Sequence, residues 1–356
     1  MLINPLPDLR TYEFQEFEFK QLMQNRIYNV LIVCSNYDYF MLEEDGRIDE
    51  QIFNEYMALN LLHPPSFLHS NTPKKALQML ASEKIDLVIV WLDAGNVTSF
   101  ETSKLIRERF PLVPIAALSH YSSELSKRIE KEDTSSIDYL FHWNGNVDIF
   151  FAIIKLVEDK MNAERDIEQI GVKAILLVED SMRFYSRYLP LIYKIILKQT
   201  RTFMSEGLNE HRRTLLMRGR PKILLATTYE EGINLFKKYE SNLLGVISDV
   251  SYFKGGIKDP AAGFRLLEHV RLHNKYFPVL IQSSEMKNEA KAKELKAMFL
   301  YKHSETLGLD IKKYITKDFS FGDFEFWDPA QMKVVAVAKD LKSFQKALGL
   351  VTIESI

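Results

Sequence analysis

Two α/β domains in tandem, each a doubly wound five-stranded parallel sheet, are the fold class that this chain predicts. Three observations carry the prediction. Short apolar runs alternate with segments of helical period, and the alternation happens twice along the chain. At 356 residues, with 46% hydrophobic and 26% charged side chains, the chain is long and apolar enough to bury two ordinary cores. In the second half, each apolar run is closed by a polar residue, which an open parallel sheet collects along one edge.

The first 27 residues form a lead whose acidic-aromatic alternation at Tyr12 to Phe19 fits a strand or a docking helix, with its role open. The first domain is expected over 28–162. Asn29 to Val33 is a strand, 45–61 an amphipathic helix, 66–69 a short strand after Pro64 and Pro65, and 72–82 a helix opened by Pro73. Then come strands at 86–92, 113–118 and 137–141, with helices at 99–110, 122–132 and 147–161. Ile149, Ile153, Leu156 and Met161 keep helical spacing into a charged linker, 163–172, that Gly171 ends. That stripe would meet a partner copy or cover only its own sheet.

The second domain is expected over 173–320. Ile175 to Val178 is an apolar run closed by Glu179, Asp180 and Ser181. A long helical region, 181–219, follows, with Phe184, Tyr188, Leu191, Ile192, Ile195, Ile196 and Phe203 as its stripe. Pro190 should kink it near Ser186 or break it. Its basic end, Arg212, Arg213, Arg218, Arg220 and Lys222, faces few acids and suggests a solvated helical hairpin used for dimerisation or to reach a phosphorylated partner. Leu243 to Ser248 ends in Asp249, and Lys254 to Pro260 is either a mobile cover or a spacious loop. Pro278 to Gln282 ends in Ser283, and Phe299 to Tyr301 ends in Lys302, with helices at 260–276, 288–298 and 304–317. Residues 321–356 form a connector, with a hairpin and then a helix at 341–348.

A strand ending in Glu-Asp, taken alone, reads first as a solvated acidic loop. Five strand-terminal residues in this order fit one chemistry. Asp180 and Asp249 would bind Mg²⁺ directly with the backbone carbonyl of Ser251, and Glu179 would act nearby or through water. Asp249 would be the nucleophile, Lys302 would pair with it or with a phosphoryl oxygen, and the Ser283 hydroxyl would donate to another such oxygen.

Glu179, Asp180, Asp249, Ser283 and Lys302 resemble the acid pair, phosphoacceptor, hydroxyl and lysine of the receiver domain of two-component response regulators, a flavodoxin-like fold. Phe299 matches the aromatic position that reports phosphorylation there, and is equally plain core. A wider resemblance is to a tandem-receiver module at the N-terminus of bacterial phosphoenolpyruvate synthase or pyruvate phosphate dikinase-like proteins. It is carried by Phe40 to Gly46, Ala152 to Met161, Phe184 to Ser186, Arg220 to Glu231, Leu244 to Val250 and Phe321 to Phe324. The resemblance implies a Mg²⁺-dependent phosphoprotein rather than an enzyme, a histidine kinase or phosphotransfer protein as donor, and a synthase-like region as output. The alternative is a docking module, never phosphorylated, that regulates such a phosphotransferase.

The first half is the same repeat without its chemistry. Cys34 and Ser35 stand where the second copy has Glu179 and Asp180, Asp93 stands at the acceptor position, Ser119 at the hydroxyl and His142 at the lysine. Without both acids nothing holds Mg²⁺ against its hydration shell. This copy is expected to be a pseudo-receiver that serves as an interaction or homodimerisation platform. A net charge of −2 argues against general nucleic-acid affinity. One cysteine leaves no disulfide framework, and no apolar run approaches membrane length, so a cytoplasmic protein is expected, with no membrane partner. A haloacid-dehalogenase-type phosphohydrolase would need Asp-x-Asp after its first strand, which Glu179-Asp180-Ser181 does not supply.

Overall fold

The structure is a computed structural model that describes residues 22–44, 47–59, 61, 63–92, 98–120, 132–202, 218–319, 321, 324–328 and 333–338. In the first half, β1 (Asn29–Val33), β2 (Ser66–Ser70), β3 (Leu87–Leu92), β4 (Ile115–His120) and β5 (Tyr139–Trp143) form a parallel sheet in the order β2-β1-β3-β4-β5. All six residues of β3 are buried, as expected of a strand covered on both faces. The helices are α1 (Asn36–Glu44), α2 (Ile48–Ala58), α3 (Pro73–Ser82), α4 (Thr98–Arg109) and α5 (Asp148–Ala163). Thr72 caps α3 by accepting from Lys75 N at 3.2 Å, with Pro73 in the first turn.

The second half repeats the plan. Its strands β6 (Ala174–Val178), β7 (Lys222–Ala226), β8 (Leu243–Asp249), β11 (Val279–Ser283) and β12 (Met298–Tyr301) pair in parallel in the order β12-β11-β8-β6-β7. Helices α6 (Met182–Thr202), α7 (Tyr229–Tyr239), α8 (Ala262–His273), α9 (Asn288–Glu294) and α10 (Leu307–Lys313) surround it. A hairpin of β9 (Tyr252–Lys254) and β10 (Ile257–Asp259) follows β8, and β13 (Phe324–Asp328) pairs antiparallel with β14 (Lys333–Ala338). The chain therefore folds as two doubly wound parallel sheets in tandem, as its pattern predicts. Among the described residues, no helix is long and apolar enough to cross a membrane.

Several local expectations need correction. The helix expected at 45–61 begins at Ile48, after Arg47 with a left-handed φ of 41°, and α1, which starts where Ser35 Oγ accepts from Asp38 N at 3.0 Å, was not expected. Strand β5 begins two residues later than expected, after Asp138 turns its carboxylate to Ile115 N and Arg107, so His142 lies inside the strand. Pro190 does not break α6. Proline in a helix costs about 3 kcal/mol. Tyr185, Tyr188, Leu189, Ile192, Tyr193, Ile196 and Leu197 are all buried on this helix, each worth about 1.5–3 kcal/mol, and burial wins. That stripe is rotated from the expected one, since Phe184, Leu191 and Ile195 are only half-buried. Residues 122–131 of one expected helix, the expected helix at 341–348, most of the lead, and Phe203, Arg212 and Arg213 lie outside the described residues.

The two sheets share one core. Residues of α5 and α6 pack together with inward residues of both sheets in a single apolar cluster that includes Phe141, Phe151, Ile154, Tyr188, Ile192, Ile223 and Leu300. The stripe on α5 thus meets neither a second copy nor its own sheet alone; it meets the second domain of the same chain. Tyr185 Oη donates to Leu140 O, and His142 N donates to Ser186 Oγ at 2.9 Å.

A buried ionic seam runs beside this core, and it overturns the solvated reading of Arg220 and Lys222. Arg220 is 2% exposed and grips Asp159 at 2.8 and 3.0 Å, while Lys222 pairs with Asp166 at 2.8 Å. Lys155, Glu158, Asp159, Asn162 and Asp166 recur at helical spacing along α5 and the π-helical turn Glu164–Gln169, so they form one polar stripe on its inner side. The end of the lead is tied to that stripe. Met23 N donates to Asp166, Asn25 N to Asn162 Oδ1 and Ile27 N to Glu158 Oε1.

Candidate functional site

At the C-terminal edge of the second sheet, three parallel strands end side by side, with Val178 opposite Ser248 and Gln282 opposite Asp249. That register brings the next residue of β6, Glu179, beside Asp249. Glu179 is fully buried; its Oε2 accepts from Lys302 Nζ at 2.6 Å and Gln282 Nε2 at 2.9 Å, and its Oε1 accepts from Ser181 N at 3.0 Å. Lys302 also reaches Asp249 Oδ2 at 2.9 Å, and its ammonium lies 4.0 Å from the centre of the Phe184 ring. One carboxylate oxygen each from Glu179, Asp180 and Asp249 lie within 4.8 Å of one another. Burial, and then the neighbouring Asp249, push the Glu179 carboxyl up to about 8; burial raises that of Asp249 as well, against the pull of Lys302.

Ser283 closes β11 and is almost fully buried. Its Oγ accepts from Glu285 N at 3.0 Å and Asn288 Nδ2 at 2.8 Å, so its own O–H is left as a donor. Phe299 is half-buried on the opposite face of β12, packed against the core of that face, and its carbonyl accepts from Tyr314 Oη at 2.8 Å. Ser251 is half-buried in the turn between β8 and β9.

Four residues that sequence reasoning missed complete the surroundings. Gln282 and Phe184 hold Glu179 and Lys302 in place. Gln282 was visible as the one amide ending an apolar run, whereas Phe184 looked like helix stripe. Gly263 lets α8 press against the end of β8, its amide donating to Val250 O at 2.9 Å. Lys258 pairs with Asp180 from the hairpin. The expected loop at 254–260 is this hairpin, turned by Gly255 and Gly256 at φ of 58° and 77°.

At the matching edge of the first sheet, no group of three such acids forms among the described residues. Cys34 is buried, and its backbone carbonyl contacts His69 Nε2 at 3.1 Å. Ser35 donates to Asp38 at 2.6 Å, and Ser119 Oγ points to Phe141 O at 3.5 Å. His142 pairs with Ser119 across the β4–β5 ladder, and burial lowers its pKa. Asp93 lies outside the described residues. Burial, reinforced by Asp38, pushes the Cys34 thiol up to about 12. Iodoacetamide near neutral pH is therefore expected to leave Cys34 unmodified in the native chain and to alkylate it in urea, read by peptide mass spectrometry. Equal native and denatured labelling would contradict that burial.

No family model matches the chain, and no curated protein matches it. Two solved structures resemble it weakly. Both carry the description of a two-component system response regulator/GGDEF domain protein, an assignment that is itself provisional in each. Each is 14% identical with a TM-score of 0.33 over 82% of this chain, and covers 98% and 99% of its own length. A likeness that low bears no argument, so function has to come from the pocket itself.

Proposed function

We propose that the second domain is a Mg²⁺-dependent phosphoryl acceptor of the receiver type and that Asp249 takes the phosphoryl group. The observation that supports it most is Lys302, held by one ammonium between Glu179 and Asp249 at the edge where three carboxylates converge. An all-carboxylate donor set suits a hard divalent cation, and the Lys258 ammonium against Asp180 is a stand-in positive charge at that edge. Asp180 and Asp249, with the Ser251 carbonyl, would hold the ion, while Glu179 orients Lys302. Bound there, Mg²⁺ supplies positive charge that neutralises phosphoryl oxygens.

An Asp249 carboxylate oxygen attacks phosphorus, the bond from phosphorus to the donor's imidazole nitrogen breaks, and the electron pair leaves with that nitrogen. Lys302 offsets the charge on the acceptor side, and the Ser283 O–H donates to a phosphoryl oxygen. The donor is a histidine kinase or phosphotransfer protein, and the first domain serves as an interaction platform without phosphorylation of its own. With Mg²⁺ and acetyl phosphate, the wild type is expected to gain one phosphoryl group by intact mass and Asp249→Ala none. Equal uptake by the variant would sink the assignment, and no uptake by either would favour a docking module.

A further inference from the structure

Hairpin β9–β10 is fastened at three places, and one of them is the acid pocket. Its turn is tied to α7, where Gly255 N donates to Glu230 Oε1 at 2.9 Å, Lys254 lies over the Tyr229 ring and Phe253 bridges to Thr228. Its base is tied to α8 through Asp259 and Arg265 at 2.8 Å. Between them Lys258 crosses to Asp180.

The two lysines of the pocket differ in freedom. Lys302 is 2% exposed and bound to two carboxylates, whereas the Lys258 side chain is half-exposed and ends on one. A divalent cation on Asp180 would sit about 2 Å from its oxygen, next to an ammonium bonded to the same carboxylate. Like charges at that distance repel strongly. The lysine able to leave is Lys258, and because the hairpin is also held at its turn and base, Lys258 can leave without the hairpin coming undone.

We propose that Lys258 is a tethered cation that competes with a divalent metal ion for Asp180, so that loading the site releases Lys258 into solvent and marks the hairpin surface as occupied. The inference rests on the phosphoryl-acceptor reading, since it needs a cation in this pocket. Mn²⁺ serves as the probe, with free ion counted by electron paramagnetic resonance. Lys258→Met is expected to bind Mn²⁺ about two- to five-fold more tightly than wild type, the range for a partly exposed ion pair, and Asp180→Asn to bind it far more weakly.

A second readout is independent of affinity. Labelling of lysines by an acetylating reagent, mapped by mass spectrometry, should show Lys258 becoming more reactive when Mg²⁺ is added to wild type, with Lys302 protected throughout. In Asp180→Asn, Lys258 should be reactive with or without Mg²⁺. If Lys258→Met leaves the affinity unchanged and Mg²⁺ leaves Lys258 labelling unchanged while Asp180→Asn still weakens binding, the tethered-cation proposal is overturned and the metal site stands. If wild type binds no Mn²⁺, both fall.

Discussion

Replacing Asp159 with alanine is expected to destabilise the protein by about 3–5 kcal/mol, the usual loss when one half of a buried ion pair is removed. The Asp159 carboxylate accepts from both Arg220 nitrogens, from Tyr193 Oη at 2.9 Å and from Ile223 N at 2.9 Å. Without it, a guanidinium that is 2% exposed loses its counter-charge in a place water does not reach. Against a net stability of about 5–15 kcal/mol for a domain, the loss is large. Because Asp159 belongs to α5 and Arg220 leads into β7, the effect should reach both halves of the chain. Urea unfolding followed by circular dichroism, and by Trp91 and Trp143 fluorescence for the first domain, should shift together.

The double variant Asp159→Leu with Arg220→Met separates charge burial from packing. Replacing both partners with apolar groups of similar size is often near neutral, so it should regain most of the loss. Full recovery is not expected, because Ile223 N and Tyr193 Oη lose their acceptor at about 1 kcal/mol each. A loss below about 1 kcal/mol in Asp159→Ala would mean that Arg220 is hydrated and the seam is not dry.

That seam also marks where the sequence stops being legible. Parallel strands buried on both faces are written as continuous apolar runs, and every strand of the two sheets but β7 could be read from them; β7 opens on Lys222, whose charge placed it with the basic end of the preceding helix. The pocket was legible for a related reason: Glu179, Asp249, Ser283 and Lys302 each interrupt or close such a run. The seam was not, because Asp159 and Arg220 are 61 residues apart and each sits among other charges, so a local reading assigns both to solvent. Lys258 was hidden likewise. A three-residue strand is too short to show alternation, and its target, Asp180, lies 78 residues earlier. The break expected at Pro190 is the opposite case, since a local backbone penalty is visible in sequence and the two-domain core that keeps the helix continuous is not.

Gly263→Ala is expected to damage the pocket more than the fold. A Cβ on Gly263 would lie 1.9 Å from the Asp249 carbonyl oxygen and 3.0 Å from Val250 Cα, so the end of β8 and the start of α8 must separate by at least an ångström. The neighbour is backbone, which cannot swing aside as a side chain does. Such overpacking costs about 1–3 kcal/mol, which a chain with this shared core should survive. The same displacement moves Asp249 away from Lys302, now at 2.9 Å, and out of the carboxylate cluster. A misplacement of about 1 Å at a reacting group costs on the order of a hundredfold in rate. Phosphoryl uptake from acetyl phosphate should fall by about that factor while the circular dichroism spectrum is kept. Gly232→Ala is the matched control, because its Cβ would meet only the Val178 and Leu266 side chains, at 3.3 Å and beyond, and α7 gains a better helix former. Wild-type uptake by Gly263→Ala would show that the close approach of α8 does not position Asp249; slowed uptake in Gly263→Ala alone would tie the acceptor's geometry to that one absent side chain.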